Sequence, residues 1–375
     1  MIKIVEVQTK KHLSEFIKFP DKLYKGNKFR VPQLHIYEKS SLSSEKNPAF
    51  DFCEAKYWLA YEDNKIVGRI AGIINNKSNE IWNEKAVRFG WIDFVDNPDV
   101  STALINSVEN WGKSKGMTTM QGPLGFTDMD LEGMLVEGFN EISTQTVIYN
   151  YPYYPVHLEK NGYSKEVDWI QFEIKVPDKI PDKVKRISEL VQQKYNLKIL
   201  DFKKAKDILP YANKMFNTYN EALRHLYGFV PLTEKQIKYY IDQYFSMVNP
   251  KYINFIVDKN DDVVGFGLCF LSLSKALMKA KGKLFPFGFI HILKDMKKND
   301  TADLLIQGVT DEYKSKGVPA MFYARIMQRF IDNGVKTVIS SSVLEENKHS
   351  FLMFTNGYEA RQHMRRRSYT KHLGI

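Results

Sequence analysis

A short basic turn between two apolar segments is the part of the sequence best suited to bind a charged ligand. Residues 304–309 read as an apolar strand, and residues 319–333 have the pattern of a helix that ends at Gly334. Between them the turn contains Lys314, Lys316 and Gly317. A helix start directs backbone N–H groups and a positive dipole end toward one point. The turn therefore predicts a site for an anionic ligand such as a pyrophosphate.

The composition indicates a folded chain that could form two domains of ordinary size. It has 375 residues, of which 43% are hydrophobic and 13% aromatic. Cys53 and Cys269 both lie in apolar contexts, which predicts small core residues in a reducing compartment. The first residues lack the apolar region of a signal peptide, and no apolar run approaches the roughly 20 residues of a spanning helix. We therefore expect a cytoplasmic protein.

The formal net charge of +10 is compatible with nucleic acid, an acidic membrane surface or an anionic substrate. The sequence has no zinc-finger spacing, RNP-like aromatic motif or clear helix-turn-helix. The basic run at residues 365–367 is expected on a final strand, with alternate side chains solvated. Nucleic acid is therefore not an expected partner.

A faint internal repeat organises the chain, and the order of its elements is the evidence for it. Each copy is expected to contain a strand, a second strand, a helix closed by glycine, a third strand and an Asn-Gly-Tyr tripeptide before a closing strand. The first copy has these features at 65–74, 89–95, 101–115, 117–121 and 161–163. The second copy has them at 262–270, 304–309, 319–333, 336–342 and 356–358.

The repeat predicts a first domain at 1–176, a proline-containing polar linker at 177–182 and a second domain at 183–375. The second copy carries an insertion at 272–300. The predicted class is α/β (α+β): two tandem domains, each with a mixed, mostly antiparallel sheet flanked by helices.

This order of elements resembles the GNAT superfamily of CoA-dependent N-acyltransferases. In that family the turn reads Arg/Gln-x-x-Gly-x-Gly/Ala. Here Lys314 stands for the Arg or Gln, and Pro319 replaces the last small residue. Proline fits the first helical position but removes one N–H donor.

The resemblance implies a site for acyl-CoA as cosubstrate, without a metal. The residues expected to bind it are Gly308, Val309, Lys314, Ser315, Lys316, Gly317, Val318, Pro319, Ala320 and Asn347. Asn347 matches an asparagine that contacts the cofactor at the start of the family's last helix. The first copy has Asp96 and Asp99 at the corresponding turn, and carboxylates repel phosphate. We therefore expect a single CoA site, in the second copy. The first copy is expected to be a structural or acceptor-binding domain.

Further stretches resemble the tandem-GNAT group that includes bacterial ceramide synthases. They lie at 47–50, 121–126, 133–139, 153–154, 230–233 and 284–288. The resemblance extends over nearly the whole chain and implies transfer of a fatty acyl group to the amine of a long-chain, sphingoid-like base.

The insertion contains an apolar aromatic block at 284–293 with lysines on both sides. The block is too short to span a bilayer but long enough for an interfacial element, so peripheral contact with the inner face of a membrane is one expectation. The other is that most of its apolar area packs inside the domain as a lid. The two expectations are compatible.

Amide formation from a thioester requires a base for the amine and stabilisation of the thioester oxygen. Many GNAT enzymes use a tyrosine of the last helix as general acid, and Met353 aligns with it. Another group must therefore act, the thiolate must leave unassisted, or the protein is inactive. The candidate catalytic residues are Glu345, Asp128, Glu132, Glu221 and His225.

Each catalytic candidate also has a structural interpretation. Glu345 follows a strand and could instead favour a helix start. Asp128 and Glu132 belong to an acidic loop that could simply be solvated. Glu221 and His225 are four residues apart on an expected helix, where such a pair is more often surface or capping.

Three functions remain open. The first is an acyl-CoA-dependent N-acyltransferase with a lipid-like amine acceptor. The second is an acetyltransferase for a small or protein amine. The third, favoured by Pro319 and Met353, is an inactive tandem GNAT that binds CoA or a partner.

Overall fold

The structure is a computed structural model that describes residues 1–244, 248–347 and 357–374. The strands are β1 (Lys3–Glu6), β2 (Cys53–Glu62), β3 (Lys65–Asn75), β4 (Ala86–Phe94), β5 (Thr119–Gly122), β6 (Met134–Glu137), β7 (Ser164–Lys175), β8 (Lys198–Leu200), β9 (Ile253–Val257), β10 (Val263–Leu271), β11 (Thr301–Val309), β12 (Thr337–Ile339), β13 (Val343–Leu344) and β14 (Ala360–His372). The α-helices are α1 (Lys10–Leu23), α2 (His35–Ser41), α3 (Asn76–Ile81), α4 (Pro98–Ser114), α5 (Tyr153–Lys160), α6 (Asp182–Tyr195), α7 (Leu209–Leu223), α8 (Glu234–Tyr244), α9 (Ser274–Ala280), α10 (Gly288–Lys297) and α11 (Pro319–Asp332).

The chain divides into two compact units. Unit 1 comprises Met1–Ile170, Ser274–Ile292 and Met364–Ile375, and unit 2 comprises Gln171–Leu273 and Leu293–His363. This division differs from the one expected at 177–182, because much of the insertion and the last part of the chain lie in unit 1. Conversely, the end of β7, from Gln171 to Lys175, lies in unit 2. Strands distant in sequence therefore complete both sheets.

Each unit contains a mixed sheet with helices packed on it, as predicted. In unit 1 the strand order is β1-β2-β3-β4-β5-β14, and β6 also pairs with β14. In unit 2 the order is β8-β9-β10-β11-β12-β7. The β4–β5 and β11–β12 pairs are parallel, and the other pairs with a described register are antiparallel.

The helix that crosses between the parallel strands has the same ends in both units. α4 and α11 both begin with proline, which suits the first helical position. Gly116 and Gly334 follow their C-termini at φ +76° and +71°. The next N–H bonds back across each end, from Met117 to Gly112 and from Val335 to Phe330, both at 2.9 Å. Both copies thus contain the predicted helix with its glycine cap.

The crossover helices pack closely on the sheets. In unit 1, Val100, Leu104 and Val108 of α4 are fully buried in a core cluster with strand side chains. In unit 2, a Cβ added to Gly267 of β10 would lie 1.8 Å from the ring of Phe322 of α11. Cys53 and Cys269 are buried, as expected for core cysteines.

The insertion forms α9, a turn and α10. In unit 1 the Ser274 hydroxyl donates to the Ser143 carbonyl at 3.1 Å, and the His35 N–H donates to the Gly282 carbonyl at 2.9 Å. The expectation that most of the apolar block packs inside the protein is wrong for five of its residues, one of which is Leu293 at 50% exposed. The other four form the apolar ridge: Phe285, Phe287, Phe289 and Ile290, with exposed fractions of 75%, 68%, 38% and 51%.

The three arginines at 365–367 lie on β14, as expected, but they are not simply solvated. Arg365 and Arg367 both donate to the buried carboxylate of Asp168, at 3.0 and 2.8 Å. Arg366 is only 1% exposed, and burial lowers the pKa of its guanidinium to about 9. The expectation of solvated side chains is wrong because Arg366 is itself buried and the carboxylate that binds the other two arginines is buried as well.

Candidate functional site

The parallel strand pairs separate part of the way along their length. Pairing of β11 with β12 ends at Asp303–Ile339, while β11 continues to Val309. Pairing of β4 with β5 ends at Arg88–Gln121, while β4 continues to Phe94. The remaining part of each longer strand is unpaired with that neighbour. In β4 two backbone groups of this part have other partners: the Phe89 carbonyl accepts from the Leu124 N–H at 2.8 Å, and the Phe94 N–H donates to the Tyr154 hydroxyl at 3.0 Å.

Both longer strands also carry a bulge after the separation point. The register shifts opposite Leu268 and Cys269 in the β10–β11 pair, and between Arg69 and Ala71 in the β3–β4 pair. In β4 the bulged Trp91 has φ +44°, a strained value for a bulky residue. A bulge redirects side chains and interrupts the hydrogen bonding of the strand, and bulges are frequent next to active sites.

The basic turn in unit 2 lies between β11 and α11. A 3₁₀ turn at Asp311–Tyr313 leads through Lys314 to Gly317, whose φ of +78° requires glycine. The Lys314 ammonium lies 2.6 Å from Asp311, and the Lys316 ammonium lies 3.1 Å from Glu312. Both cations thus have carboxylate partners that a phosphate would have to replace.

Further expected cofactor residues surround this turn. Gly308 and Val309 pair with Phe266 and Gly265 of β10, and a Cβ on Gly308 would lie 2.6 Å from the Phe266 ring. Ser315 lies in the turn and Val318 is buried. The N–H of Ala320 donates to the Gly317 carbonyl at 3.0 Å.

Glu221 and His225 both approach Asp311, the first residue of the 3₁₀ turn. A Glu221 carboxylate oxygen accepts from the Asp311 N–H at 2.9 Å, and His225 Nε2 lies 3.6 Å from Asp311 Oδ2. Arg224 also donates to Asp311. The hydrogen bond from Lys314 is the main reason that the pKa of Asp311 is lowered. The expected shared helix face is wrong, because α7 ends at Leu223 and His225 lies in the turn after it.

Glu345 and Asn347 follow β13 in unit 2. Glu345 is half-buried, and the Asn347 N–H donates to the Leu344 carbonyl at 2.9 Å. Met353 and Asn356 lie outside the described residues, so the alignment of Met353 with the family's tyrosine stays a prediction.

The acidic loop with Asp128, Asp130 and Glu132 lies in unit 1 beside the separation point of β4 and β5. It is folded against the protein: Asp130 accepts from the N–H groups of Phe126 and Thr127 at 2.9 and 3.1 Å. Burial raises the pKa of Asp130 to about 6. Burial, with the Asp128 charge, raises the pKa of Glu132 well above its usual value. These carboxyls are partly shielded from solvent, as a general base near neutral pH requires.

The turn of the first copy has the structure of a capped helix start. Asn97 accepts from the Asp99 N–H at 2.9 Å, and Asp96 lies 2.9 Å from His157 Nε2. The Ser101 hydroxyl lies 2.8 Å from the other ring nitrogen of His157.

One group of polar residues in unit 1 was missed by the sequence interpretation. Arg69 of β3 donates from Nε to Asp93 of β4 at 2.8 Å, and its guanidinium lies 3.7 Å from Glu38. Glu38 accepts from the Trp91 indole at 3.1 Å. The available signal was the presence of Arg69 and Asp93 inside otherwise apolar strands.

No helix in residues 1–244, 248–347 or 357–374 is long and apolar enough to cross a membrane. No protein-family model matches the chain. Protein YghO of Escherichia coli K12 is 29% identical over 308 residues, covering 81% of this chain and 78% of that protein. A protein of Caulobacter vibrioides named bacterial ceramide synthase is 23% identical over 355 residues, covering 92% and 91%.

Solved structures agree with the described architecture. A tandem GNAT protein from the clavulanic acid biosynthesis pathway has a TM-score of 0.57 at 11% identity, covering 100% of this chain and 99% of that one. A glucosamine N-acetyltransferase region of a fungal multi-domain GH3 β-N-acetylglucosaminidase also gives 0.57, at 12% identity, covering 99% and 38%. This likeness, with the repeated sheets and their separated parallel strands, confirms the predicted resemblance: the chain has the tandem GNAT fold.

Proposed function

We propose that this chain is an N-acyltransferase that uses acyl-CoA as its acyl donor. The observation that carries the proposal is the basic turn that follows the end of β11, where β11 no longer pairs with β12, and leads into α11. Lys314 and Lys316 supply positive charge at a helix start, which suits the phosphates of CoA. The donor-binding residues remain those expected from the sequence, from Gly308 to Ala320 and Asn347.

The reaction joins the acceptor nitrogen to the acyl carbon and breaks the bond between that carbon and sulfur. The amine loses a proton to a base, and the CoA thiolate leaves with the electron pair of the broken bond. Glu345, Asp128, Glu132, Glu221 and His225 remain the candidates for proton transfer. The raised pKa of Glu132 favours it as a base, whereas Glu221 already accepts from the Asp311 N–H.

We further propose that the acyl group is fatty and that the acceptor is a long-chain, sphingoid-like amine. The relative named bacterial ceramide synthase supports this choice over most of both chains. The apolar ridge supports it independently, because exposed aromatic side chains flanked by lysines suit an anionic lipid surface. The proposed location is therefore cytoplasmic, with peripheral contact through residues 284–293.

Acyl-chain preference tests the proposal directly. The full chain is incubated with palmitoyl-CoA or acetyl-CoA and with sphinganine or spermine, and the amide products are measured by mass spectrometry. We expect release of CoA and an amide product only with palmitoyl-CoA and sphinganine. Acetylation of spermine in place of this product would favour the second function. Absence of transfer with any pair would contradict the proposal and favour an inactive binding protein.

A further inference from the structure

Unit 1 contains a cavity at the bulge of β4. Its volume is about 80 Å³, well above the roughly 10–15 Å³ that one water needs. The charged residues that line it are Asp21, Arg30, His35, Glu38, Arg69 and Asp93. Trp91, Tyr149 and Tyr154 add aromatic surface. The cavity therefore has room for a small polar head group.

The inner wall of the cavity is held by fixed partners. Asp93 is bound by Arg69 at 2.8 Å and by the Tyr24 hydroxyl at 2.9 Å. The Tyr154 hydroxyl oxygen lies 3.0 Å from the Tyr24 hydroxyl oxygen. Burial, followed by the Asp93 charge, raises the pKa of both tyrosines well above the usual value. The hydroxyls thus stay protonated, and each of these side chains has a polar partner within the wall.

The outer part of the cavity has groups that can change partner. Asp21 lies 2.7 Å from His35 Nε2 and 3.8 Å from Arg30, and its side chain is 28% exposed. Among the described lining residues, three carboxylates face two guanidinium groups and one histidine. The carboxylates thus outnumber the permanently charged guanidinium groups by one. Such a cavity favours a cation over a phosphate or a carboxylate.

The apolar ridge begins close to this cavity. A Cβ on Gly282 would lie 2.8 Å from His35 Nε2 and 2.9 Å from the Gln33 carbonyl oxygen, and both residues line the cavity. Phe285, the first ridge residue, follows three positions later. The insertion thus joins the outer part of the cavity to exposed aromatic side chains within unit 1.

We propose that this cavity binds the ammonium head of a long-chain amine, with Asp21 as its ion-pair partner. The ridge lies in the lipid surface that holds the amine, and it brings the cavity to that surface. An ammonium group supplies three donors to Asp21 and neighbouring oxygens, and it is attracted to the aromatic faces of the lining. The inference rests on the proposed function, because it gives the acceptor a binding site in the first copy.

Binding of dodecylamine to the full chain, measured by titration calorimetry, tests the inference. Dodecanoate and dodecanol are control probes with the same chain and a different head. We expect dodecylamine to bind, and Asp21→Asn to weaken it about tenfold, in the range of a charge-assisted hydrogen bond. Asp99→Asn, at an exposed helix start of the same unit, is the matched control and should leave affinity unchanged. Equal affinity in wild type and Asp21→Asn would overturn the inference, as would equally tight binding of dodecanoate.

Acyl transfer separates this inference from the proposed function. If Asp21-dependent amine binding occurs without amide formation, the cavity assignment stands and the proposed function fails. If amide forms and Asp21→Asn leaves the KM for the amine unchanged, the function stands and the cavity assignment fails. If both hold, Asp21→Asn raises the KM for the long-chain amine while kcat changes little. Thermal denaturation confirms that the variant is folded.

Discussion

Arg88 and Asp303 occupy equivalent positions in the two copies, yet one is a basic residue and the other an acidic one. Each is the last residue of its strand to pair in the parallel ladder, Arg88 with Gln121 and Asp303 with Ile339. Arg88 donates to the Ser78 hydroxyl at 2.8 Å and to the Gly125 carbonyl at 3.2 Å beside the acidic loop. Asp303 is a carboxyl that is 2% exposed. The two copies have therefore diverged at the point where their strands separate.

Asp303 predicts a specific pH dependence of stability. Burial raises its pKa from 3.8 to about 7, against a hydrogen bond from Ser272 that lowers it. Since the folded-state pKa is raised, its stabilising contribution is complete below the unfolded value and is lost as pH rises through about 7. A shift of this size corresponds to at most about 4 kcal/mol.

We therefore expect Asp303→Asn to be less pH-sensitive than wild type and more stable than it at about pH 8. Urea unfolding at about pH 5 and pH 8 measures both free energies. Asp300→Asn, at an exposed position just before β11, is the control. Identical pH dependence in wild type and Asp303→Asn would contradict the assignment of this carboxyl.

Replacement of Lys314 and Lys316 by alanine should weaken CoA binding. Each lost charge removes an attraction to phosphate, and about tenfold for the double variant is expected at low salt. The wild-type affinity should also fall as ionic strength rises. Titration calorimetry with CoA measures both effects. Lys113→Ala, exposed on α4, should bind like wild type. A double variant with wild-type affinity would move the donor site away from this turn.

Gly317→Ala and Gly334→Ala form a matched pair, since their φ angles are +78° and +71°. Each substitution should cost about 1–2 kcal/mol of unfolding free energy, because an L side chain disfavours this region. A Cβ at Gly317 would lie 3.2 Å from Val191, whereas nothing lies within 4 Å at Gly334. Only Gly317→Ala should also weaken CoA binding. Equal loss of CoA affinity in both variants would show that the effect arises from stability alone.

The apolar ridge should be required for lipid contact but not for folding. The double variant Phe285→Ser and Phe287→Ser should lose flotation with anionic phosphatidylserine vesicles and transfer to sphinganine. Its stability should change by less than about 1 kcal/mol, because both side chains are exposed. Leu190→Ser, an exposed apolar residue on α6, is the control. Undiminished flotation of the ridge variant would exclude this segment as the membrane contact.

Arg69→Met should destabilise unit 1 by about 3–5 kcal/mol, because it leaves Asp93 buried without its cationic partner. Lys56→Met breaks a more exposed pair with Glu6, at 3.0 Å, and should cost at most about 1 kcal/mol. Urea unfolding compares the two variants. Similar costs for both would show that the Arg69–Asp93 pair behaves as an ordinary surface pair.

The sequence predicted the features that depend on local structure. The repeat, the crossover helices, the glycine caps and the basic turn follow from short-range patterns, and the structure contains all of them. The polar cluster of unit 1 could not be predicted in the same way. Asp21, His35, Arg69 and Asp93 come from α1, α2, β3 and β4, and only strand register and helix packing bring them together. Arg69 in an apolar strand was a partial signal.

The insertion illustrates a second limit of sequence interpretation. Its composition indicated both a lid and a surface element, and chain order assigned it to the second domain. The structure assigns residues 274–292 to unit 1, through contacts such as that of Gly282 with His35. Such contacts link residues that are far apart in the sequence, and no local sequence pattern predicts them.

The placement of β14 in the sheet of unit 1 has a consequence during protein synthesis. Residues 369–372 pair with β5, and residues 365–367 pair with β6, so these partners remain open until residues 365–372 have left the ribosome. The nascent first copy therefore exposes an unpaired strand edge throughout translation of the second copy. Exposed edges recruit other chains, so we expect this interval to be the stage at which chaperones act.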